Sequence, residues 1–340
     1  MTLTRAEQIT AFLDSYGWGA ARSVHLAGDA SARQYLRLTT ESNRAVLMDA
    51  DPAKGERVDR FIAVDEWLLS HGHSAPRIFA GDQAAGLLLL EDLGDSLFAR
   101  LTAADSGREM GLYLAATDLV ADLQSHAPPD FMATGGTKEL AALVQVIPDW
   151  YLRGIGTAAN QAALQIAPLV ATLFDALGGS TSVVSLRDFH AENLLWLPDR
   201  QQTARVGLLD FQDAFITDPA YDLVSLFQDA RRDVSAETES ACLRHYLEQS
   251  GRDESAFLPL YALLGAQRAL RIIGIFARLA MTSGKTRYLE YMPRVWGYLD
   301  RSLNHPTLAQ LARAINDGLP RPTAERLERI AASWPQNQKP

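Results

Sequence analysis

A chain of 340 residues exceeds what one ordinary compact core organises, so its length predicts two domains or one unit of two lobes. Hydrophobic residues make up 47% and charged residues 21%, a globular balance that excludes an intrinsically disordered protein. The net charge of −9 argues against nucleic-acid or anionic-membrane partners, because such binding depends on clustered Lys and Arg.

Thr4-Arg5-Ala6-Glu7 fits a capping box and predicts a short amphipathic helix that Gly17 ends. Strand-like runs rich in Val, Leu and Tyr follow at Ala20 to Ala27, Gln34 to Thr39 and Arg44 to Ala50, with turn residues between them. A helix is expected from about Val58 to Ser70, where Phe61, Val64, Trp67 and Leu68 recur at helical spacing. Two more strands are predicted at Pro76 to Ala80 and Gly86 to Leu90. After Asp92-Leu93-Gly94 the texture changes to long helical patterns at about Asp105 to Ser125, Leu140 to Arg153 and Ala159 to Leu177. Short strand runs interrupt them at Ser182 to Leu186, Leu194 to Leu197 and Val206 to Leu209, and helices resume from Tyr221. No apolar run approaches the roughly 20 residues of a membrane span, and the charged start M-T-L-T-R-A-E-Q is unlike a signal peptide, so the cytoplasm is the expected compartment. The single cysteine, Cys242, is expected to be an inert core residue.

The segment V-V-S-L-R-D-F-H-A-E-N-L-L-W-L, followed by R-V-G-L-L-D-F-Q-D-A, carries the chemistry. A strand leads to Asp188, four residues separate it from Asn193, and a later strand ends on Asp210. Phosphoryl transfer needs such a set of oxygens: one carboxylate to orient the acceptor hydroxyl and take its proton, and a carboxylate with an amide to hold Mg²⁺.

D-F-H-A-E-N with D-F-Q-D-A resembles the catalytic and metal loops of the aminoglycoside phosphotransferase and choline kinase superfamily, whose fold is protein-kinase-like. The resemblance implies an α+β, two-lobed molecule: an N-terminal antiparallel sheet with one main helix over residues 1–92, binding nucleotide, and a mostly helical lobe over 93–340 for catalysis and acceptor binding. It implies ATP as phosphate donor, Mg²⁺ as cofactor, Asp188 as catalytic base, and Asn193 with Asp210 as metal ligands. Asp218 to Leu223, D-P-A-Y-D-L, resembles the segment after the metal aspartate, with Asp222 as a brace. Gly28 to Arg33 lies where such proteins cover the phosphates. Gly28 and Ser31 offer close backbone approach there, Arg33 offers charge, and a plain hairpin turn is the alternative. The backbone from Glu91 to Leu93 matches the hinge that meets adenine.

The sequence departs from the superfamily at two points. Met48 stands where a phosphate-gripping lysine is usual, and Leu186 stands where a histidine is usual. Arg33, Arg37 and Arg187 are the candidates to replace the lost charge. The stretches G-D-A-S-A-R-Q-Y-L-R-L, V-L-M-D-A and G-A-Q-R-A-L-R-I-I-G-I-F-A-R-L narrow the resemblance to the bacterial anomeric kinases of N-acetylmuramate and N-acetylglucosamine in cell-wall recycling. That implies an amino-sugar acceptor, with another hydroxylated acceptor or a catalytically silent nucleotide-binding module as the competing readings. Arg268 and Arg271, three apart in the late helix, are candidate acceptor-binding residues, against the alternative that they brace the helix.

Overall fold

The computed structural model describes residues 3–26 and 33–334. Helix α1 (Arg5–Ser15) is followed by strands β1 (Arg22–Leu26), β2 (Gln34–Thr39) and β3 (Arg44–Asp49), helix α2 (Asp59–Ser70), and strands β4 (Ile78–Asp82) and β5 (Leu87–Leu90). Next come α3 (Phe98–Ala104), α4 (Glu109–Ser125), α5 (Thr137–Ala142) and α6 (Gln161–Ala176). Four short strands, β6 (Val183–Ser185), β7 (Leu194–Trp196), β8 (Val206–Leu208) and β9 (Phe215–Thr217), precede α7 (Ala220–Phe227). The remainder is helical: α8 (Ala236–Ser250), α9 (Glu254–Ser283), α10 (Met292–Leu303), α11 (Ala309–Gly318) and α12 (Ala324–Ala332). The chain divides into two compact units. Residues up to Arg108 with Ala191–Asp213 form the first, and Glu109–His190 with residues from Ala214 onward form the second.

The first unit is an antiparallel five-stranded sheet in the order β1-β2-β3-β5-β4. The expected capping box forms: Thr4 N–H donates to Glu7 Oε2 at 2.7 Å and Glu7 N–H to Thr4 Oγ1 at 3.4 Å. That fixes the start of α1, whose Phe12 packs on Leu38, Ala45, Leu47, Leu87 and Leu89. Because strand side chains alternate, Met48 stands on the opposite face of the sheet, paired across to Tyr35 and Leu88 and fully buried. β7 and β8 form a small antiparallel hairpin in the same unit.

The second unit is built around α9, thirty residues long and buried along most of its length. By length and composition α9 could cross a membrane, but its apolar surface is spent on the core of this unit. Cys242 is buried there as a free thiol, pushed up to about 11 by burial.

Three expected boundaries differ. The helix expected from Asp105 begins at Glu109, because Asp105 is extended and its Oδ1 accepts the N–H of Gly107, so a tight 3₁₀ turn precedes the helix. The helix expected over Leu140 to Arg153 breaks into α5, a 3₁₀ turn and a π-helical segment at Ile147–Leu152 that contains Pro148. A proline lacks the N–H that continues an α-helical ladder. Strand β9, absent from the sequence expectations, pairs antiparallel with β6, Val184 opposite Ile216.

Candidate active site

In the first unit the β7–β8 hairpin brings the backbone at Asn193 beside that at Leu209, the residue before Asp210. Register places Leu194 opposite Leu208, so Asn193 and Leu209 follow at the open end, where Leu209 N–H donates to the Asn193 carbonyl at 2.9 Å. Asp210 comes next, in the left-handed region with φ 57°. Few residues other than glycine tolerate that region, Asp and Asn among them, and the turn it makes re-aims the side chain away from the strand. Gln212 Nε2 donates to Asp210 Oδ1 at 2.7 Å, and Phe211 is buried against Phe61 of α2 with ring centroids 4.9 Å apart. An anionic carboxylate and a neutral amide oxygen on adjacent ends of one hairpin are hard donors of the kind Mg²⁺ prefers, so the residues present fit that ion.

Arg33 and Arg37, the candidate replacements in this unit, are both ion-paired. Arg37 bridges Asp92 at 2.8 Å and Asp95 at 2.7 Å, and its Nη2 also donates to the Gly94 carbonyl. Asp92 Oδ1 accepts the N–H of Gly94, whose φ of 87° suits glycine, so D-L-G is a braced turn. Arg33 Nε pairs with Glu56 at 2.9 Å. Glu91 N–H donates to the Arg77 carbonyl and its carboxylate pairs with Arg200 at 2.6 Å, while Leu93 lies in the braced turn. Gly28 and Ser31 lie outside the described residues.

In the second unit Asp188 stands just beyond β6, on a loop held from beneath by Asp222 of α7. The fully buried Asp222 accepts from Ser185 Oγ at 2.7 Å, Leu186 N–H at 2.8 Å and Arg187 N–H at 3.0 Å. Burial lifts the Asp222 carboxyl to about 6, against the pull of those three hydrogen bonds. Asp218 caps the start of α7, accepting the N–H of Ala220 at 3.0 Å. Arg187 takes φ 70°, and its guanidinium lies 5.9 Å from the centre of the Phe215 ring.

Arg268 and Arg271 come from α9, both buried. Arg268 Nη2 donates to Ser225 Oγ at 2.7 Å and lies 3.9 Å from Asp188 Oδ1, while Ser225 donates to the Arg187 carbonyl at 3.1 Å. Burial pushes the Asp188 carboxyl up, but Arg271 and Arg268, then His190 and Arg187, outweigh it and hold Asp188 below its ordinary 3.8. The carboxylate is therefore ionised at neutral pH and able to accept a hydroxyl proton. Ser225 and His190 were given no role from sequence. Ser225 sits inside the D-P-A-Y-D-L-V-S stretch and His190 inside D-F-H, so position in a motif was the available signal.

A model of the phosphotransferase enzyme family matches residues 24–260. The chain belongs to this family. An N-acetylmuramate/N-acetylglucosamine kinase of Caulobacter vibrioides is 39% identical over 92% of this chain and 96% of its own length. A protein of the same name from Pseudomonas putida is 32% identical over the same shares of the two chains. A choline/ethanolamine kinase family protein from Mesorhizobium loti superposes with a TM-score of 0.62 at 15% identity, over 93% of this chain and all of that one. The fold is thus the protein-kinase-like one of the phosphotransferases, and the chain is an enzyme of the kinase class.

Proposed function

We propose that this phosphotransferase uses ATP and Mg²⁺ to phosphorylate the anomeric hydroxyl of N-acetylmuramate or N-acetylglucosamine. The observation that carries the reading is the near end-to-end similarity to kinases named for those two sugars. In this reading residues 1–92 bind nucleotide through the Gly28 to Arg33 stretch of sequence and the Glu91 to Leu93 backbone, and residues 93–340 supply catalysis and acceptor binding. The expected compartment is the cytoplasm, where both ATP and a recycled amino sugar would be met.

Asn193 and Asp210 would hold Mg²⁺, which when bound neutralises the phosphate charge of the nucleotide. Asp188 orients the acceptor hydroxyl and takes its proton as the oxygen bonds to the γ-phosphorus. The bond from that phosphorus to the β–γ bridging oxygen breaks, and ADP leaves with the bond's electrons. An anomeric hydroxyl is more acidic than an ordinary alcohol, so it suits a carboxylate held at low pKa. Arg268 and Arg271 keep that carboxylate charged, and their remaining donors suit the oxygens of an amino sugar.

Phosphorus NMR of the product formed from each sugar tests the proposal. A phosphate signal split by the single C1 proton is expected. Splitting by a methylene pair, or no turnover of either sugar, would refute the acceptor while leaving the kinase class in place.

A further inference from the structure

Helix α7 holds the loop that carries Asp188 at two points one turn apart. Asp222 accepts the N–H groups of Leu186 and Arg187, and the fully buried Ser225 donates its Oγ proton to the Arg187 carbonyl at 3.1 Å. A hydroxyl has one proton and a guanidinium only donates, so a lone pair of Ser225 Oγ receives Arg268 Nη2 at 2.7 Å. The hydroxyl is thereby committed in both directions. The same Nη2 stands 3.9 Å from Asp188 Oδ1. That separation exceeds the reach of an N–H···O hydrogen bond, yet opposite charges at this range in a buried setting still attract. Moved by roughly 1 Å, Nη2 would form a charge-assisted hydrogen bond with the carboxylate, which is the stronger acceptor of the two. It bonds the neutral serine instead.

We propose that Ser225 is a positioning residue: it holds the Arg268 guanidinium near enough to keep Asp188 ionised and too far to take the Oδ1 lone pair that an acceptor hydroxyl requires. This rests on the reading of Asp188 as the catalytic base. Ionisation at neutral pH calls for cations close by, whereas proton transfer calls for a lone pair that those cations do not occupy. A carboxylate bonded directly to a guanidinium is the weaker base, and that bond must break before a proton can be received. Arg271 is foremost among the groups that favour the charged form of Asp188, followed by Arg268, His190 and Arg187. Arg271 therefore keeps the carboxylate ionised when Arg268 is removed, which makes the restraint on Arg268 separable from its charge.

Ser225→Ala in the full chain removes the anchor and alters no charge. With ATP and N-acetylglucosamine at neutral pH, its kcat is expected to fall on the order of tenfold while the KM for ATP stays within error. Its acidic limb, followed from about pH 3, should move to lower pH, because a new hydrogen bond to the charged form depresses a carboxylate pKa. A residue that only braced the loop would leave the limb in place. In an Arg268→Met background, where no guanidinium needs restraint, Ser225→Ala should lower kcat by less than about twofold further. An unmoved or raised limb in Ser225→Ala, or the same fold-loss with and without Arg268, would overturn the assignment. Asp188→Asn is assayed alongside: undiminished turnover by that variant would overturn the base and Ser225's role together, whereas its inactivity with an undiminished kcat in Ser225→Ala would overturn Ser225 alone.

Discussion

Arg268 Nη2 bonds Ser225 at 2.7 Å while standing 3.9 Å from Asp188 Oδ1, so one guanidinium both steadies the loop that presents Asp188 and stabilises its charge. Ser225 passes the first effect on through the Arg187 carbonyl. Arg268→Gln should therefore lower kcat and move the acidic limb of the pH–rate profile upward by about one unit, since removing a close opposite charge raises a carboxylate pKa. Rate measurements from about pH 3 to 8 check this. An unmoved limb with reduced kcat would leave Arg268 a structural brace only.

Asp188→Asn keeps the shape of the side chain and removes its ability to take a proton. Turnover should fall by roughly 10²–10⁴-fold with the nucleotide dissociation constant nearly unchanged. Single-turnover kinetics and calorimetry with ATP measure the two quantities. Retention of more than about a tenth of wild-type kcat would contradict the assigned role.

Asp210→Ala and Asn193→Ala each delete one candidate metal-binding side chain beside the β7–β8 hairpin, and both should raise the Mg²⁺ concentration for half-maximal rate, Asp210→Ala the more because it removes a charge. Magnesium titration at saturating substrates decides. An unchanged requirement in both variants would remove the metal from this hairpin.

Asp65 of α2 is buried, and neither of its oxygens has a hydrogen-bond partner among the described residues. Burial first, then the charges of Glu66 and Glu91, push its carboxyl up to about 7. With the folded pKa above the unfolded one, the folded state holds the extra proton between about pH 4 and 7. Stability contributed by that proton is complete below the unfolded pKa and is lost as pH rises through 7. Asp65→Asn should raise the melting temperature by several degrees at pH 8 and change it little at pH 4, a difference on the order of a few kcal/mol. Thermal unfolding at the two pH values is the measurement, and equal shifts at both would show that the carboxyl does not titrate in this range.

Much of this architecture was legible because its signals are local. The Thr4 to Glu7 capping box, the three-strand start and the helix bearing Phe61, Val64 and Leu68 depend on residues within a turn or two of each other. Asp188, Asn193 and Asp210 are candidates that rest on motif spacing and family resemblance. What escaped depends on distant partners. Three residues of β9 are too few for a periodicity, and they form a strand by pairing with β6, more than thirty residues earlier. Asp65 reads as the polar member of an amphipathic helix, yet it lies on the buried stripe between Phe61 and Leu68. The engagement of Arg33 and Arg37 also lay beyond sequence, since Glu56, Asp92 and Asp95 reach them only through the folded sheet.

Met48, sealed against Leu88 in the sheet, has a practical consequence for chemical labelling. Reagents that mark kinases by acylating a lysine amine beside the nucleotide phosphates find a thioether at this position, which forms no amide. The one lysine among the first hundred residues is Lys54, in a 3₁₀ turn after β3. Lysine-directed acyl-phosphate nucleotides would therefore leave no mark at position 48, and the absence of a label there would carry no information about whether the enzyme binds ATP.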